Sequence, residues 1–168
     1  MLRSFFAALI AMALSACSGG GATIEHTSAA LLPMPSKVSL DPTEARDIIN
    51  RYREDKGLKP LKLHPLLTKA AKAHSSDLAS KDRIAHKGSD GSDPWVRVQR
   101  TGYKPRLAAE NVGAGQMSLA EVFKGWQDSP GHDENLLLPD ATHMGIALVH
   151  NPSTEYKTFW TLVLGKPL

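Results

Sequence analysis

Three side chains that could do chemistry stand on separate segments of this 168-residue chain. They are His86 in Ile84-Ala85-His86, Glu110 in Ala109-Glu110-Asn111, and His132 in Ser129-Pro130-Gly131-His132. Two neutral imidazoles suit Zn²⁺ or a similar ion, and a nearby carboxylate could orient or deprotonate a metal-bound water. Because the intervening segments are short, the three groups can converge on one site.

Each of these residues also has a purely structural interpretation. His86 and His132 would then pack at a helix end or a turn, and Glu110 would be a buried, hydrogen-bonded carboxylate. Residue type alone favours this interpretation, since isolated histidines are common on protein surfaces. Two protein ligands also hold a metal more weakly than the three of a hydrolytic zinc site, which argues against efficient hydrolysis.

The other polar and aromatic residues of note are expected to have structural roles. Asn111 is expected to fix the backbone of a turn beside Glu110, and Ser129 lacks the surroundings of a nucleophile elbow. His74 lies on an alanine-rich helical face and is expected in or near the core, whereas His143 is expected to be exposed. The tryptophans are expected in the core; they are Trp95, Trp126 and Trp160.

Four helices are predicted from their start signals. A capping Asp or Ser, or a proline in the first turn, precedes an apolar periodic segment in each case. The predicted starts are Asp41-Pro42-Thr43-Glu44, Pro65, Ser92-Asp93-Pro94 and Ser118-Leu119-Ala120-Glu121, and the second helix is expected to run to about Lys81. The segment Ser129-Pro130-Gly131 is interpreted as a turn.

The last part of the chain changes to the pattern of strands. Residues 143–150 and 156–164 are rich in Val, Ile, Leu and aromatic side chains, and Asn151-Pro152-Ser153-Thr154 is expected to join them as a hairpin. Helices followed by an antiparallel hairpin predict an α+β domain over residues 41–168.

The start of the chain has the pattern of an export signal. A short basic region precedes the apolar run Phe5 to Leu14, and Leu14-Ser15-Ala16 leads to Cys17, the only cysteine of the chain. This pattern resembles a bacterial lipobox and predicts a signal peptide over residues 1–16 with acyl chains on Cys17. The alternative is ordinary secretory cleavage near Ala16, which would leave a free thiol.

Acyl chains on Cys17 would anchor the protein to a membrane outside the cytoplasm. Ser18 after the cysteine points to the outer membrane if the host is Gram-negative. Residues 17–40, rich in Gly, Ser, Ala and Pro, are then expected to form a flexible tether. Without Arg3 the chain has nineteen basic and seventeen acidic residues, and no basic run with interleaved aromatics suggests nucleic acid.

A series of short motifs follows one order along residues 43–165. They are Lys56 to Leu61, Leu67 to His74, Ile84-Ala85-His86, Gly102-Tyr103, Ala109-Glu110-Asn111-Val112, Trp126 to His132, and Met144-Gly145-Ile146. This order resembles the CAP superfamily (cysteine-rich secretory, antigen 5 and pathogenesis-related proteins), also called SCP-like, in its short bacterial form. The resemblance implies an α-β-α sandwich with a central antiparallel sheet and a cleft on one face.

In that family two histidines and two acidic residues meet in the cleft, and in several members the histidines bind a divalent cation. The resemblance implies that His86 and His132 hold such a cation, zinc first, and that Glu110 is an acid/base group. Ser129 stands where eukaryotic members carry the second glutamate. Asp128, one position earlier, could complete the cleft only if the turn is rearranged.

Three functions remain open from the sequence. The first is a non-enzymatic binding module of the cell envelope, for a small or lipid-like ligand or an envelope partner, with a weak metal cleft. The second is a metal-assisted, peptidase-like hydrolase using Glu110 and a metal-bound water. The third is a domain that only presents a surface to envelope partners. The missing fourth acid favours the first and third functions over the second.

Overall fold

Helices and strands alternate along residues 38–168, the part of the chain that this computed structural model describes. The predicted signal peptide, Cys17 and residues 18–37 of the predicted tether lie outside the described residues. The elements are α1 (Pro42–Asp55), β1 (Lys62–Leu63), α2 (Pro65–Lys81), α3 (Pro94–Arg100), β2 (Pro105–Ala114), α4 (Leu119–Gln127), α5 (Pro130–Leu136), β3 (His143–His150) and β4 (Thr158–Pro167).

The first four helices begin where the sequence predicted. The side chain of Asp41 accepts from the backbone N–H of Thr43 at 2.8 Å, and that of Asp93 accepts from Val96 at 2.8 Å. Ser118 caps α4 in the same way. Each cap satisfies an N–H that the first helical turn leaves without a partner.

Two elements differ from the sequence predictions. The segment interpreted as a turn at Ser129-Pro130-Gly131 begins α5, with Ser129 at its N-cap and Pro130 in its first turn. The segment around Glu110 and Asn111, where Asn111 was expected to hold a turn, is the middle of the ten-residue strand β2. In β2 the two side chains point to opposite faces of the sheet.

The four strands form one sheet in the order β1-β3-β4-β2. The predicted hairpin is present, with β3 and β4 antiparallel and Ala147 opposite Thr161. Strand β2 is antiparallel to β4, and the short β1 adds a parallel pair with the start of β3. The predicted α+β class is therefore confirmed, with a mixed sheet in place of a purely antiparallel one.

The sheet lies between two helical layers. On one side α1, α4 and α5 pack against Met144, Ile146 and Leu162. On the other side α2 and α3 pack against Ala147 and Val163. Trp126 and Trp160 are buried as predicted. The prediction was wrong for Trp95, which lies on the short α3 and is 40 % exposed.

Helix α2 lies so close to strand β3 that one strand position has no room for a side chain. A Cβ atom added to Gly145 on β3 would lie 2.1 Å from the backbone nitrogen of Thr68. The helix backbone therefore rests directly on the strand at this glycine. At the start of the described chain, Val38 is buried and Leu40 is partly buried against the core.

None of the helices within residues 38–168 is long and apolar enough to cross a membrane.

Candidate functional site

The structure brings His86, Glu110 and His132 together. His86 lies in the loop between α2 and α3, Glu110 in the middle of β2, and His132 in the first turn of α5. The Nδ1 atom of His86 lies 3.0 Å from Oε1 of Glu110, and the ring centroids of His86 and His132 are 6.5 Å apart. The convergence predicted for these three residues is therefore seen.

Strand β2 is an edge of the sheet, and the site straddles this edge. Glu110 faces the layer of α2 and α3, and its neighbour Asn111 faces the layer of α1, α4 and α5. The amide of Asn111 donates to the backbone carbonyl of His132 at 2.9 Å. Two consecutive residues of one strand thus fix the positions of both histidines, one from each layer.

Glu110 is buried, and each of its carboxylate oxygens accepts a hydrogen bond. Its side chain is only 2 % exposed, and Oε2 accepts a 2.7 Å hydrogen bond from the guanidinium of Arg97 on α3. Oε1 accepts from His86 and lies 3.5 Å from Nε2 of His74. With 2 % exposure and a charge-assisted bond to Arg97, this carboxylate is shielded from solvent water.

Arg97 joins several parts of the site. Besides Glu110, it donates to the backbone carbonyls of Ser92 and His86, both at 2.8 Å. It thereby holds the loop that carries His86 against α3. The sequence did not lead us to Arg97. The only indication is its position beside Val98 in a short predicted helix, where both side chains prove to be buried.

His74 is a neutral core histidine behind Glu110. Its Nε2 lies 2.8 Å from the carbonyl oxygen of Ala85, and because a carbonyl only accepts, Nε2 carries the proton. Burial lowers the pKa of His74 and outweighs the opposite effect of the Glu110 charge. The expectation that His74 lies in the core is confirmed, but its contact with Glu110 was not foreseen.

His132 is held by its own helix and by β2. Its Nδ1 lies 2.9 Å from the hydroxyl oxygen of Ser129. Asn135, on the next turn of α5, donates to the side-chain oxygen of Asn111 at 2.9 Å and to the carbonyl of Glu110 at 3.2 Å. Burial, and secondarily the nearby His86, lower the pKa of His132, so its ring stays neutral below the usual range.

Asp128 lies outside this group. It ends α4, its side chain is 61 % exposed, and it forms an ion pair with Lys124 one turn earlier. The turn that would have carried Asp128 into the cleft is instead the start of α5, where the Ser129 hydroxyl contacts His132. The site therefore contains one acidic side chain, and a serine stands beside the second histidine.

His143, expected to be exposed, is half-buried at a different place in the fold. Its ring packs edge-on against His64, with the centroids 5.3 Å apart. Burial is the main cause that lowers the pKa of His143, and the nearby His64 and Lys62 lower it further. Strand β3, on which it lies, is separated from β2 by β4. His143 therefore lies near the β1 edge of the sheet, away from the site on β2.

The donor set of the site fits a metal held by two imidazoles. The Glu110 carboxylate only accepts, so Nδ1 of a neutral His86 carries a proton and Nε2 keeps its lone pair for a ligand. A carboxylate on the second ring nitrogen is the usual support of a metal-binding histidine. Two imidazoles on one tetrahedral ion have centroids about 5 Å apart, so the rings would have to approach each other slightly.

A closed metal site is not formed by the described part of the chain. Within residues 38–168, no three His, Cys, Asp or Glu side chains are grouped so as to hold an ion. Because Glu110 is paired with Arg97, the only donors left for a metal would be the two histidines, with the remaining positions open to water or a ligand. Such a set would bind an ion weakly and exchangeably.

Comparison with known proteins covers most of the chain. Residues 46–164 match the profile of the Cysteine-rich secretory protein family, CAP. The uncharacterised protein YkwD of Bacillus subtilis is 33 % identical over 138 residues, 82 % of this chain and 53 % of YkwD. The chain thus spans about half the length of this curated relative.

Two solved structures are also similar. An extracellular protein of Bacillus anthracis that contains an SCP domain has a TM-score of 0.66 and 25 % identity, covering 74 % of this chain and 40 % of its own. An outer surface protein of Borrelia burgdorferi has a TM-score of 0.68 and 24 % identity, covering 77 % of this chain and 97 % of its own. The second likeness concerns the fold alone.

Proposed function

Since the chain belongs to the cysteine-rich secretory protein (CAP) family, we propose that it is an extracytoplasmic binding module with a weak divalent-metal cleft rather than a hydrolase. In this proposal His86 and His132 hold the cation, with zinc the most suitable. Glu110 orients the His86 ring and neutralises Arg97. The module takes a small or lipid-like ligand or a partner of the cell envelope.

The occupied carboxylate of Glu110 is the observation that supports binding over hydrolysis. A general base must accept a proton from the attacking water and must reach that water. Glu110 already accepts from Arg97 at 2.7 Å and from His86 at 3.0 Å, and its side chain is 2 % exposed. No other carboxylate of the described residues contacts either cleft histidine.

One similar protein supports a location outside the cytoplasm. The Bacillus anthracis protein, 25 % identical to this chain, is extracellular. The predicted export signal, which ends in the lipobox-like Leu14 to Cys17, supports a lipid anchor in the cell envelope, on the outer membrane in a Gram-negative host. This location matches a binding module, which meets its ligands at the cell surface.

Zinc titration by calorimetry tests the proposed cleft. We expect the chain to bind one ion, and we expect His86→Ala and His132→Ala to lose that binding while they keep the far-ultraviolet circular dichroism of the parent. His150→Ala, which changes a half-buried histidine at the far end of β3, is the matched control and should bind zinc like the parent. If zinc binds equally to all four proteins, the cleft is not a metal site.

Hydrolysis assays separate the binding module from the alternative enzyme. Peptide and lipid-ester substrates should show no turnover above buffer, with or without zinc. Turnover that requires zinc and disappears in a folded Glu110→Gln variant would support the hydrolase instead. The two experiments are independent, because zinc binding without turnover still supports the proposed module.

A further inference from the structure

Three lysines surround a cavity at the edge of the sheet opposite the histidine cleft. The cavity has a volume of about 310 Å³ and is lined by Lys59 before β1, Lys62 on β1 and Lys166 on β4. His143 and Thr142 add an imidazole and a hydroxyl to its wall. The sequence shows these lysines as scattered, and pairing of β1 with β3 and of β4 with β3 brings them together.

The cavity carries more positive than negative charge. Asp140 is the only acidic side chain among the residues that line it, and it lies 3.0 Å from Nζ of Lys166. Lys59 and Lys62 take part in no ion pair formed within residues 38–168. Two ammonium groups are therefore left without a counter-charge around a concave space.

A buried arginine holds both walls of this cavity. Arg53 on α1 has no exposed surface, and its guanidinium donates to the backbone carbonyls of Lys59 at 3.1 Å and Leu138 at 3.1 Å. A third hydrogen bond reaches the carbonyl of Leu136 at 2.7 Å. The backbone beside Lys59 and the backbone leading to Asp140 are thus fixed by one side chain.

Arg53 also adds to the positive field. Its partners are carbonyl oxygens, and no carboxylate neutralises it within the described residues. A buried cation without a paired carboxylate is costly, and only backbone carbonyl dipoles offset that cost for Arg53. Because it contacts the backbone of Lys59, which lines the cavity, its charge adds to that of the lysines, and low-dielectric surroundings screen it poorly.

From this arrangement we propose that the cavity formed by Lys59, Lys62 and Lys166 is a binding site for a phosphate group. Lysine ammonium groups act as point charges with three donors each and bind phosphate oxygens well. The volume is sufficient for a phosphate with a small substituent. The group belongs either to a free phosphate compound or to the headgroup of an anionic phospholipid.

Titration with inorganic phosphate, followed by the amide signals in a ¹H–¹⁵N spectrum of the full chain, tests this site. We expect saturable shifts around residues 59–62 and 139–143. The double variant Lys59→Gln/Lys62→Gln removes two charge-assisted contacts and should bind about tenfold more weakly or worse. Both lysines are exposed, so the fold should be unaffected.

A charge-matched control separates this site from a general charge effect. Lys81→Gln/Lys87→Gln also removes two exposed lysines, and neither lines the cavity. It should bind phosphate like the parent. Equal weakening in both double variants, or no saturable binding by the parent, would overturn the proposal.

Vesicles identify the source of the phosphate group. Phosphatidylglycerol vesicles that displace inorganic phosphate, when phosphatidylcholine vesicles do not, would assign the site to an anionic headgroup. If neither kind of vesicle displaces bound phosphate, the site is for a free phosphate compound. Either result supports a phosphate site, because each presupposes saturable binding that is weakened in Lys59→Gln/Lys62→Gln.

Discussion

Arg97 determines the chemistry available to Glu110. The sequence showed Glu110, His86 and His132 as residues of suitable type, and their convergence could be predicted from motif order. The cation that occupies the carboxylate could not be predicted, because its contact depends on how α3 packs against β2. Sequence spacing indicates which residues lie on the same helix or strand. Arg97 lies on a different element from Glu110, so spacing did not reveal this pair.

We predict that Arg97→Met destabilises the protein. The change leaves the Glu110 carboxylate buried without its cation and removes donors to two backbone carbonyls. Breaking a buried pair on one side costs about 3–5 kcal/mol of the free energy of unfolding. Urea denaturation followed by circular dichroism measures this loss.

The matched control for Arg97→Met is Arg100→Met on the same helix. Arg100 pairs with Asp90, and the side chains are 57 % and 51 % exposed, so this pair contributes little to stability. The control should unfold close to the parent. Similar midpoints for the two variants would show that the Arg97 contact with Glu110 does not stabilise the fold.

The helices and strands whose ends are clearly marked in the sequence were predicted. Those whose ends are not clearly marked were missed. Helices α1 to α4 each start with a capping side chain or a proline, and the hairpin of β3 and β4 has apolar strands around a polar turn. Strand β2 has the polar pair Glu110 and Asn111 at its centre, so its pattern resembles a loop. Helix α5 has seven residues and begins with Pro130-Gly131, which is also a common turn sequence.

The contact of α2 with β3 predicts a strong effect of Gly145→Ala. The added methyl group would overlap the backbone of Thr68 and Leu67, and a backbone cannot rotate away as a side chain can. The free energy of unfolding should fall by about 3 kcal/mol or more. Chemical denaturation of the variant and the parent gives the difference.

Gly125→Ala on α4 is the corresponding control. A Cβ at Gly125 meets no atom within 4 Å, so the change should stabilise the helix by about 0.5–1 kcal/mol. If Gly145→Ala is tolerated as well as Gly125→Ala, the close approach of α2 to β3 is not required for the fold.

At the scale of the whole molecule, the fold class followed from the sequence, and the distribution of charge over the surface did not. The order of helices and strands predicted an α+β domain, and the family resemblance supplied the sandwich. The lysines at positions 59, 62 and 166 looked unrelated because more than a hundred residues separate the first from the last. The pairing of β1 and β4 with β3, together with the link before β1, brings them to one cavity.

The predicted membrane anchor is tested with Cys17→Ser in the host cell. We expect the parent to enter the detergent phase of a cloud-point partition and the variant to remain in the aqueous phase. Buried acyl CH₂ groups each contribute about 0.8 kcal/mol to membrane binding, and the variant has no thiol to acylate. Ser15→Ala keeps small residues before the cysteine and should behave like the parent.

An aqueous parent that labels with a thiol reagent would instead support ordinary secretory cleavage. The chain would then be released with Cys17 as a free thiol. This outcome would leave the histidine cleft and the lysine cavity unaffected as proposals, since both are formed within residues 38–168.

The histidine cleft spans an edge of the sheet, with His86 supplied by one helical layer and His132 by the other. Any ligand that binds both rings therefore links the two helical layers. Such a ligand should slow amide exchange along β2, α5 and the His86 loop together. The exchange rate of these amides would then report how strongly a bound ligand holds the two helical layers together.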